Sequence, residues 1–246
     1  MEKKNIDWAS LGFGYMETDY SFVSYYKDGK WDEGTLTADH TVTLNECACV
    51  FQYAQTCFEG LKAYTTEDGR IVTFRPDLNA ERMADSARRL KMPVYPEDKF
   101  IEAVKMVVKA NAAYVPPFGS GATLYIRPYM MGTNAVIGVK PATEYQFRIL
   151  VTPVGPYFKG GVKPLTLNVS DFDRAAPHGT GHIKAGGNYG ASMISSVITH
   201  DLGYSTPLYL DSKEKRYIDE CGAANFFGIK NGTYVTPKSH SILPSI

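Results

Sequence analysis

Thr180-Gly181-His182-Ile183-Lys184-Ala185-Gly186-Gly187-Asn188-Tyr189-Gly190 sets one lysine among four glycines, with an asparagine and a tyrosine just behind it. The run lies between a stretch that reads as a strand, 165–170, and one that reads as a helix, from about 189 to 202. Glycine permits turns closed to other residues and lets a backbone come close to a ligand. A lysine on such a loop can point into a cavity. Desolvation there lowers its pKa, and a neutral amine attacks a carbonyl to form a Schiff base. A solvated charge or an anion contact is the plainer reading of the same residue.

Upstream, 21–26 and 30–31 flank Asp28-Gly29, and 61–65 and 70–74 flank Asp68-Gly69. Both read as hairpins, the second more strongly. Asp77 is placed to cap a helix that runs to about Leu90 and stops before Pro93, with Met83, Ala87 and Leu90 on one face. A second helix is expected over 97–113, with Ile101, Val104 and Val108 inward, followed by strands at 122–130 and 146–154. Residues 1–152 thus form a small α+β domain with a mostly antiparallel sheet. Proline and glycine crowd 153–161, which reads as an interdomain linker. The second domain, 162–246, holds the lysine loop, strands at 207–211 and 215–219, and a pair at 225–230 and 233–236 around Asn231-Gly232. The fold class is α+β (α/β mixed) in two domains. Nothing terminates a helix or strand near Ile246, so the second domain reads as incomplete, a chain cut in mid-fold.

Lys+Arg and Asp+Glu are both 26, so no basic excess marks a nucleic-acid partner. The 17 tyrosines and 12 phenylalanines suit the walls of a small-molecule pocket, and also suit the filling of sheets. No apolar run approaches bilayer-spanning length, and the start, Met-Glu-Lys-Lys-Asn-Ile-Asp-Trp, has no signal-peptide core. Cys47, Cys49, Cys57 and Cys221 lack the spacing of a zinc site, so reduced buried thiols, no membrane association and a cytoplasmic location are expected. Gly-x-x-x-x-Gly-Lys-Ser/Thr and Gly-x-Ser-x-Gly do not occur, which removes a nucleotide P-loop and a hydrolase elbow.

Pyridoxal phosphate needs an amine for its aldehyde, an acid for its pyridine nitrogen, a donor for its phenolic oxygen, and cations or amides for its phosphate. Lys184 offers the first. Glu220, after the strand at 216–219, offers the acid, or is a surface carboxylate at a turn. Tyr189 offers the donor, or is a core aromatic. Arg82 offers a bidentate phosphate contact, or is an exposed helix arginine.

The set resembles the branched-chain amino acid aminotransferases of the fold-type-IV pyridoxal phosphate class. The resemblance rests on Gln52-Tyr53, Cys57-Phe58-Glu59-Gly60-Leu61-Lys62-Ala63, Phe74-Arg75-Pro76-Asp77-Leu78-Asn79 with Glu81-Arg82-Met83, and Leu124-Tyr125-Ile126-Arg127-Pro128. It continues through Thr152-Pro153-Val154-Gly155-Pro156-Tyr157-Phe158, Lys184 to Gly190, Glu220-Cys221-Gly222-Ala223-Ala224-Asn225 and Ile242-Leu243-Pro244. These segments keep the family's order over almost the whole chain. The resemblance implies a small N-terminal domain and a larger pseudo-barrel domain binding pyridoxal 5'-phosphate. It implies Lys184 as Schiff-base lysine and proton shuttle, with Glu220 at the pyridine nitrogen, Tyr189 at the phenolic oxygen and Arg82 at the phosphate. The backbone near Ala223 and Ile246 would assist at the phosphate. Phe13, Tyr53, Phe58, Tyr125 and Tyr157 would wall the side-chain pocket, and Arg127 would meet the distal carboxylate of glutamate. Residues near Ile137 and Val139 would reach a neighbouring subunit's site, which implies a homodimer.

Ala223 stands where many members of that family carry threonine, removing a hydroxyl near the substrate carboxylate or the phosphate. The family also continues past the Ile-Leu-Pro segment. The activity implied is transfer of the amino group of leucine, isoleucine or valine to 2-oxoglutarate. A D-amino acid aminotransferase or an aminodeoxychorismate lyase would share Lys184 and Glu220 but lack the Tyr-x-Arg-Pro and Pro-Val-Gly-Pro-Tyr-Phe segments. An inactive fragment is the third reading.

Overall fold

The computed structural model of the chain describes residues 2–156 and 163–246. The chain divides into two compact units, Met1–Val162 and Lys163–Ile246.

In the first unit the elements run β1 (Ser21–Lys27), β2 (Lys30–Trp31), β3 (Thr35–Thr37), α1 (Cys49–Tyr53), β4 (Thr56–Phe58), β5 (Leu61–Thr65), β6 (Ile71–Thr73), α2 (Pro76–Arg89), α3 (Glu97–Ala110), β7 (Thr123–Gly132) and β8 (Tyr145–Val154). The strands form one eight-stranded sheet of order β2-β1-β8-β7-β5-β6, with β3 beside β1 and β4 beside β7. Every pairing in it is antiparallel. Asp28 and Gly29 both have positive φ, 52° and 81°, the twist that a two-residue hairpin turn requires. The long pair β7–β8 runs in unbroken register from Thr123↔Val154 to Gly132↔Tyr145, so Pro153 and Val154, which the expected strand 146–154 and the expected linker shared, belong to the strand. The rest of that expected linker, from 157 on, lies outside the described residues.

Strand alternation decides what each face does. Leu124, Ile126 and Met130 of β7 are buried with Met83 and Ala87 of α2 and Phe100, Val104 and Val107 of α3 in a single core. Tyr125, Arg127 and Tyr129 take the opposite face. The inward face of α3 is Phe100, Ala103, Val104, Val107 and Val108, so Ile101, expected inward, sits beside the stripe and is only half-buried. Asp77 does not cap α2 either. Arg75 holds the cap position with a left-handed φ of 47°, and Pro76 supplies the pre-set first-turn backbone. Asp77 falls inside the first turn, where its charge favours the positive helix end.

In the second unit come β9 (Leu167–Val169), α4 (Gly186–Asp201), β10 (Thr206–Leu210), β11 (Ile218–Cys221), β12 (Ala224–Asn225), β13 (Gly228–Lys230) and β14 (Thr233–Val235). The sheet order is β12-β11-β10-β9, and β13–β14 form a separate hairpin. β9 and β10 are parallel, so a crossover must join them, and α4 is that crossover. Lys184 lies on it, just ahead of α4. Gly186 and Gly187, expected in a loop, fall in the first turn of this helix, which starts three residues ahead of the expected 189.

The four cysteines are free, with Cys49 and Cys57 buried and Cys47 and Cys221 half-buried. Burial, with Glu59 nearby, pushes the Cys57 thiol up to about 12, so it stays protonated. Among the described residues no helix is long and apolar enough to cross a membrane.

Candidate active site

In the second unit, the loop before α4 is fixed by one side chain. Asn188 donates to the carbonyls of Thr180, at 2.7 Å, and Ile183, at 3.0 Å, while its own Oδ1 accepts from the Thr180 hydroxyl at 2.6 Å. Gly181 lets this loop pass close to the chain end: a Cβ there would lie 2.1 Å from the Ser241 carbonyl oxygen. Ile183 and Ala185 are buried on either side of Lys184, which anchors the backbone and leaves the amine half-buried. Lys184 Nζ donates to Tyr189 Oη at 2.7 Å, and the amine also sits 4.9 Å from that ring's centroid. The helix makes this contact, since Tyr189 is on the first turns of α4 with its side chain aimed back along the chain.

Glu220 lies inside the sheet, on β11 between β10 and β12, and not at an edge. It is 4% exposed. Arg174 Nε meets its Oε2 at 2.7 Å, with both side chains almost fully buried, and the Leu243 amide donates to Oε1 at 2.9 Å. Burial raises the Glu220 pKa, and the Arg174 charge opposes that rise. Each carboxylate oxygen keeps a lone pair for one further donor. Nη1 of Arg174 is a buried donor with no partner among the described residues. Ala223 is exposed on the tight turn between β11 and β12, and Ile246 lies outside any helix or strand. Arg174 had no place in the sequence reading. A lone arginine in a loop announces no partner when that partner lies on a strand much further along the chain.

In the first unit, Arg82 on α2 is held bidentately: Nε meets Glu59 Oε1 at 2.7 Å and Nη2 meets Oε2 at 2.8 Å. Asn79, one turn earlier, donates to the same Oε2 at 2.8 Å. Glu59 is fully buried, so this pair is an internal ion pair and not a surface one. Glu59, which the sequence marks only as part of Cys57 to Ala63, gains its role from a sheet position facing the helices. On the opposite face Phe13 packs edge-on against Tyr125, with centroids 5.2 Å apart. Arg127 lies 4.6 Å over the Phe58 ring and donates to Tyr125 Oη from Nε at 3.1 Å and Nη2 at 2.7 Å. Phe13, Phe58, Tyr125 and Arg127 therefore come together. Tyr53 is engaged elsewhere, its hydroxyl donating to the Ile137 carbonyl on a loop whose Val139 is 87% exposed. Tyr157 lies outside the described residues.

An amine beside a phenol and a buried carboxylate with lone pairs to spare match three of the groups that pyridoxal phosphate calls for, the amine, the donor and the acid, so these residues fit that group. Residues 56–246 match the family model for amino-transferase class IV. The chain is 51% identical to the branched-chain-amino-acid aminotransferase of Haemophilus influenzae, over 99% of this chain and 73% of that protein. The crystal structure of the Escherichia coli branched-chain amino acid aminotransferase superposes with a TM-score of 0.77 at 27% identity, covering 94% of this chain and 71% of that one. The T.th. branched-chain amino acid aminotransferase, 22% identical, shares the fold in its complexes with pyridoxamine 5'-phosphate (TM-score 0.77) and N-(5'-phosphopyridoxyl)-L-glutamate (TM-score 0.73). Those two superpositions cover 94% of this chain and 72% and 70% of the other. On these grounds the chain belongs to the class IV aminotransferases, among the branched-chain-amino-acid aminotransferases.

Proposed function

We propose that this chain transfers the amino group of leucine, isoleucine or valine to 2-oxoglutarate, giving branched 2-oxo acids and glutamate, with pyridoxal 5'-phosphate as cofactor. The observation that carries the reading is the Lys184–Tyr189 contact of 2.7 Å, set at the start of α4 by the Asn188 hydrogen bonds. The glutamate adduct of the T.th. enzyme supports both the cofactor and the acceptor.

When bound, the cofactor supplies an electron sink for the bond broken at the amino acid's α-carbon. The rest falls to the chain. The Lys184 amine would take the proton from the amino acid's α-carbon and deliver it to the cofactor's aldehyde carbon, and Tyr189, which holds that amine, would serve the phenolic oxygen. Glu220 would be the acid for the pyridine nitrogen, and the Arg174 charge opposes the upward pull of burial on its carboxyl. Arg82, with its guanidinium fixed by Glu59, contributes charge for the phosphate, and backbone amides near Ala223 and Ile246 assist. Phe13, Phe58 and Tyr125 offer apolar wall to a branched side chain. Arg127 offers a cation to the distal carboxylate of 2-oxoglutarate. We further propose a cytoplasmic homodimer in which the loop carrying Ile137 and Val139 reaches the partner.

Lys184→Ala tests the central assignment. Turnover should fall by several orders of magnitude, and the visible absorbance of bound cofactor should vanish. Near-normal turnover with leucine would refute the role of Lys184. A panel in which D-amino acids outrun leucine would refute the substrate class.

A further inference from the structure

β4 and β5 are two stretches of one line of chain along β7. Phe58 pairs with Tyr129 and Leu61 with Ile126, a single register, and the Glu59 amide donates to the Pro128 carbonyl at 2.8 Å between them. Gly60 therefore stands opposite Arg127, on the face that carries Phe58, Tyr125 and Arg127. A glycine in the middle of a sheet is a weak choice unless something needs its space. Its backbone is ordinary, with no left-handed φ, so conformation does not demand it. Space does. A Cβ at residue 60 would lie 2.5 Å from Tyr125 Oη, and the next two nearest atoms, at 3.2 and 3.3 Å, belong to the same ring. The Tyr125 hydroxyl thus occupies the volume that a side chain at residue 60 would fill. From there it accepts two hydrogen bonds from Arg127, whose face rests on Phe58. Among the described residues no carboxylate pairs with Arg127, so the held cation is left for an incoming anion.

We propose that Gly60 determines specificity for the dicarboxylate partner. Its missing side chain is the space in which the Tyr125 hydroxyl holds Arg127 ready for a distal carboxylate. The proposal rests on the reading of Arg127 above. A branched, uncharged side chain needs only the walls, so it should be indifferent to that hydroxyl. Gly60 is a positioning residue, acting through Tyr125 on Arg127.

The test is a double-substitution cycle on the cofactor-loaded chain. Equilibrium binding of glutarate and of 4-methylpentanoate is measured by calorimetry, alongside the separate half-reactions with leucine and with glutamate. Gly60→Ala should weaken glutarate about tenfold or more and 4-methylpentanoate less than about threefold. Tyr125→Phe removes the clashing atom, so adding Gly60→Ala to it should cost nothing further for glutarate. Equal losses for both ligands, or costs that simply add in the double variant, would overturn the proposal. Arg127→Ala separates the two ideas. If it leaves glutarate unaffected, the reading of Arg127 fails; if it is selective and Gly60→Ala is not, Gly60 fails alone. Should Gly60→Ala fold poorly, the double variant carries the decision. It must regain native unfolding, and one that unfolds as early as Gly60→Ala sinks the idea.

Discussion

Two buried charge pairs do most of the positioning at the residue scale. Glu59–Arg82 ties a helix to the sheet, and Arg174–Glu220 ties a loop to a strand. Neither was legible in the sequence as a pair. Arg82 and Glu220 stood out because a cofactor needs a cation and an acid, but each partner is distant along the chain and no local spacing links them. Lys184 and Tyr189 were legible together, because five residues across a helix start bring a side chain back onto its predecessor. The Arg174–Glu220 pair carries a prediction about pH. Burial raises the Glu220 pKa and Arg174 opposes it, so Arg174→Gln removes the opposition and the pKa rises further. The carboxylate is then protonated at higher pH than in the native chain. The acid limb of the kcat profile should move upward accordingly, and an unmoved limb would show that Arg174 serves packing alone.

Among the elements, Asp-Gly and Asn-Gly turns revealed the hairpins, and apolar periodicity revealed α2, α3 and α4. What escaped were short pieces whose existence depends on neighbours: β3, α1 and β4 have three to five residues each and are held by pairing with β1 and β7 or by the turn before β4. On α3 Val104 and Val108 were read inward correctly, but Ile101 was taken for its neighbour Phe100, because both are apolar and it is Phe100 that packs against Phe147. The β10–β11 turn shows an element secured by a single side chain. Asp211 accepts from the amides of Glu214, Arg216 and Tyr217, which lowers its pKa to about 2. A lowered folded-state pKa means stability that is present above the ordinary value of 3.8 and is lost as pH falls through about 2. Asp211→Ala should therefore lower the melting temperature at neutral pH, and the gap to the native chain should close as the solution is acidified through that window. A gap that stays constant with pH would show that the carboxylate charge is irrelevant to the turn.

On the scale of the whole molecule, the antiparallel unit and the lysine-bearing unit were both readable from the sequence, since one is built from hairpins and the other from a strand–helix–strand alternation. The loop carrying Ile137 and Val139 bears on assembly, because both side chains are largely exposed in the single chain. Sedimentation of the 27.2 kDa chain should give twice that mass, and Ile137→Glu with Val139→Glu should return it to one copy without shifting the unfolding of the first unit. A native chain that sediments as one copy would remove the homodimer. The parallel β9–β10 pair has a kinetic side as well. Its partners, from Leu167↔Thr206 to Leu208↔Val169, are separated by the whole crossover, so no tight turn can seed the pair. The loop-closure entropy of that span is met before the pairing rewards it, which places the step late and makes it slow. Lys184 lies within the span, so a nascent or refolding chain gains the setting of that amine last, after the hairpin-built sheet has already formed.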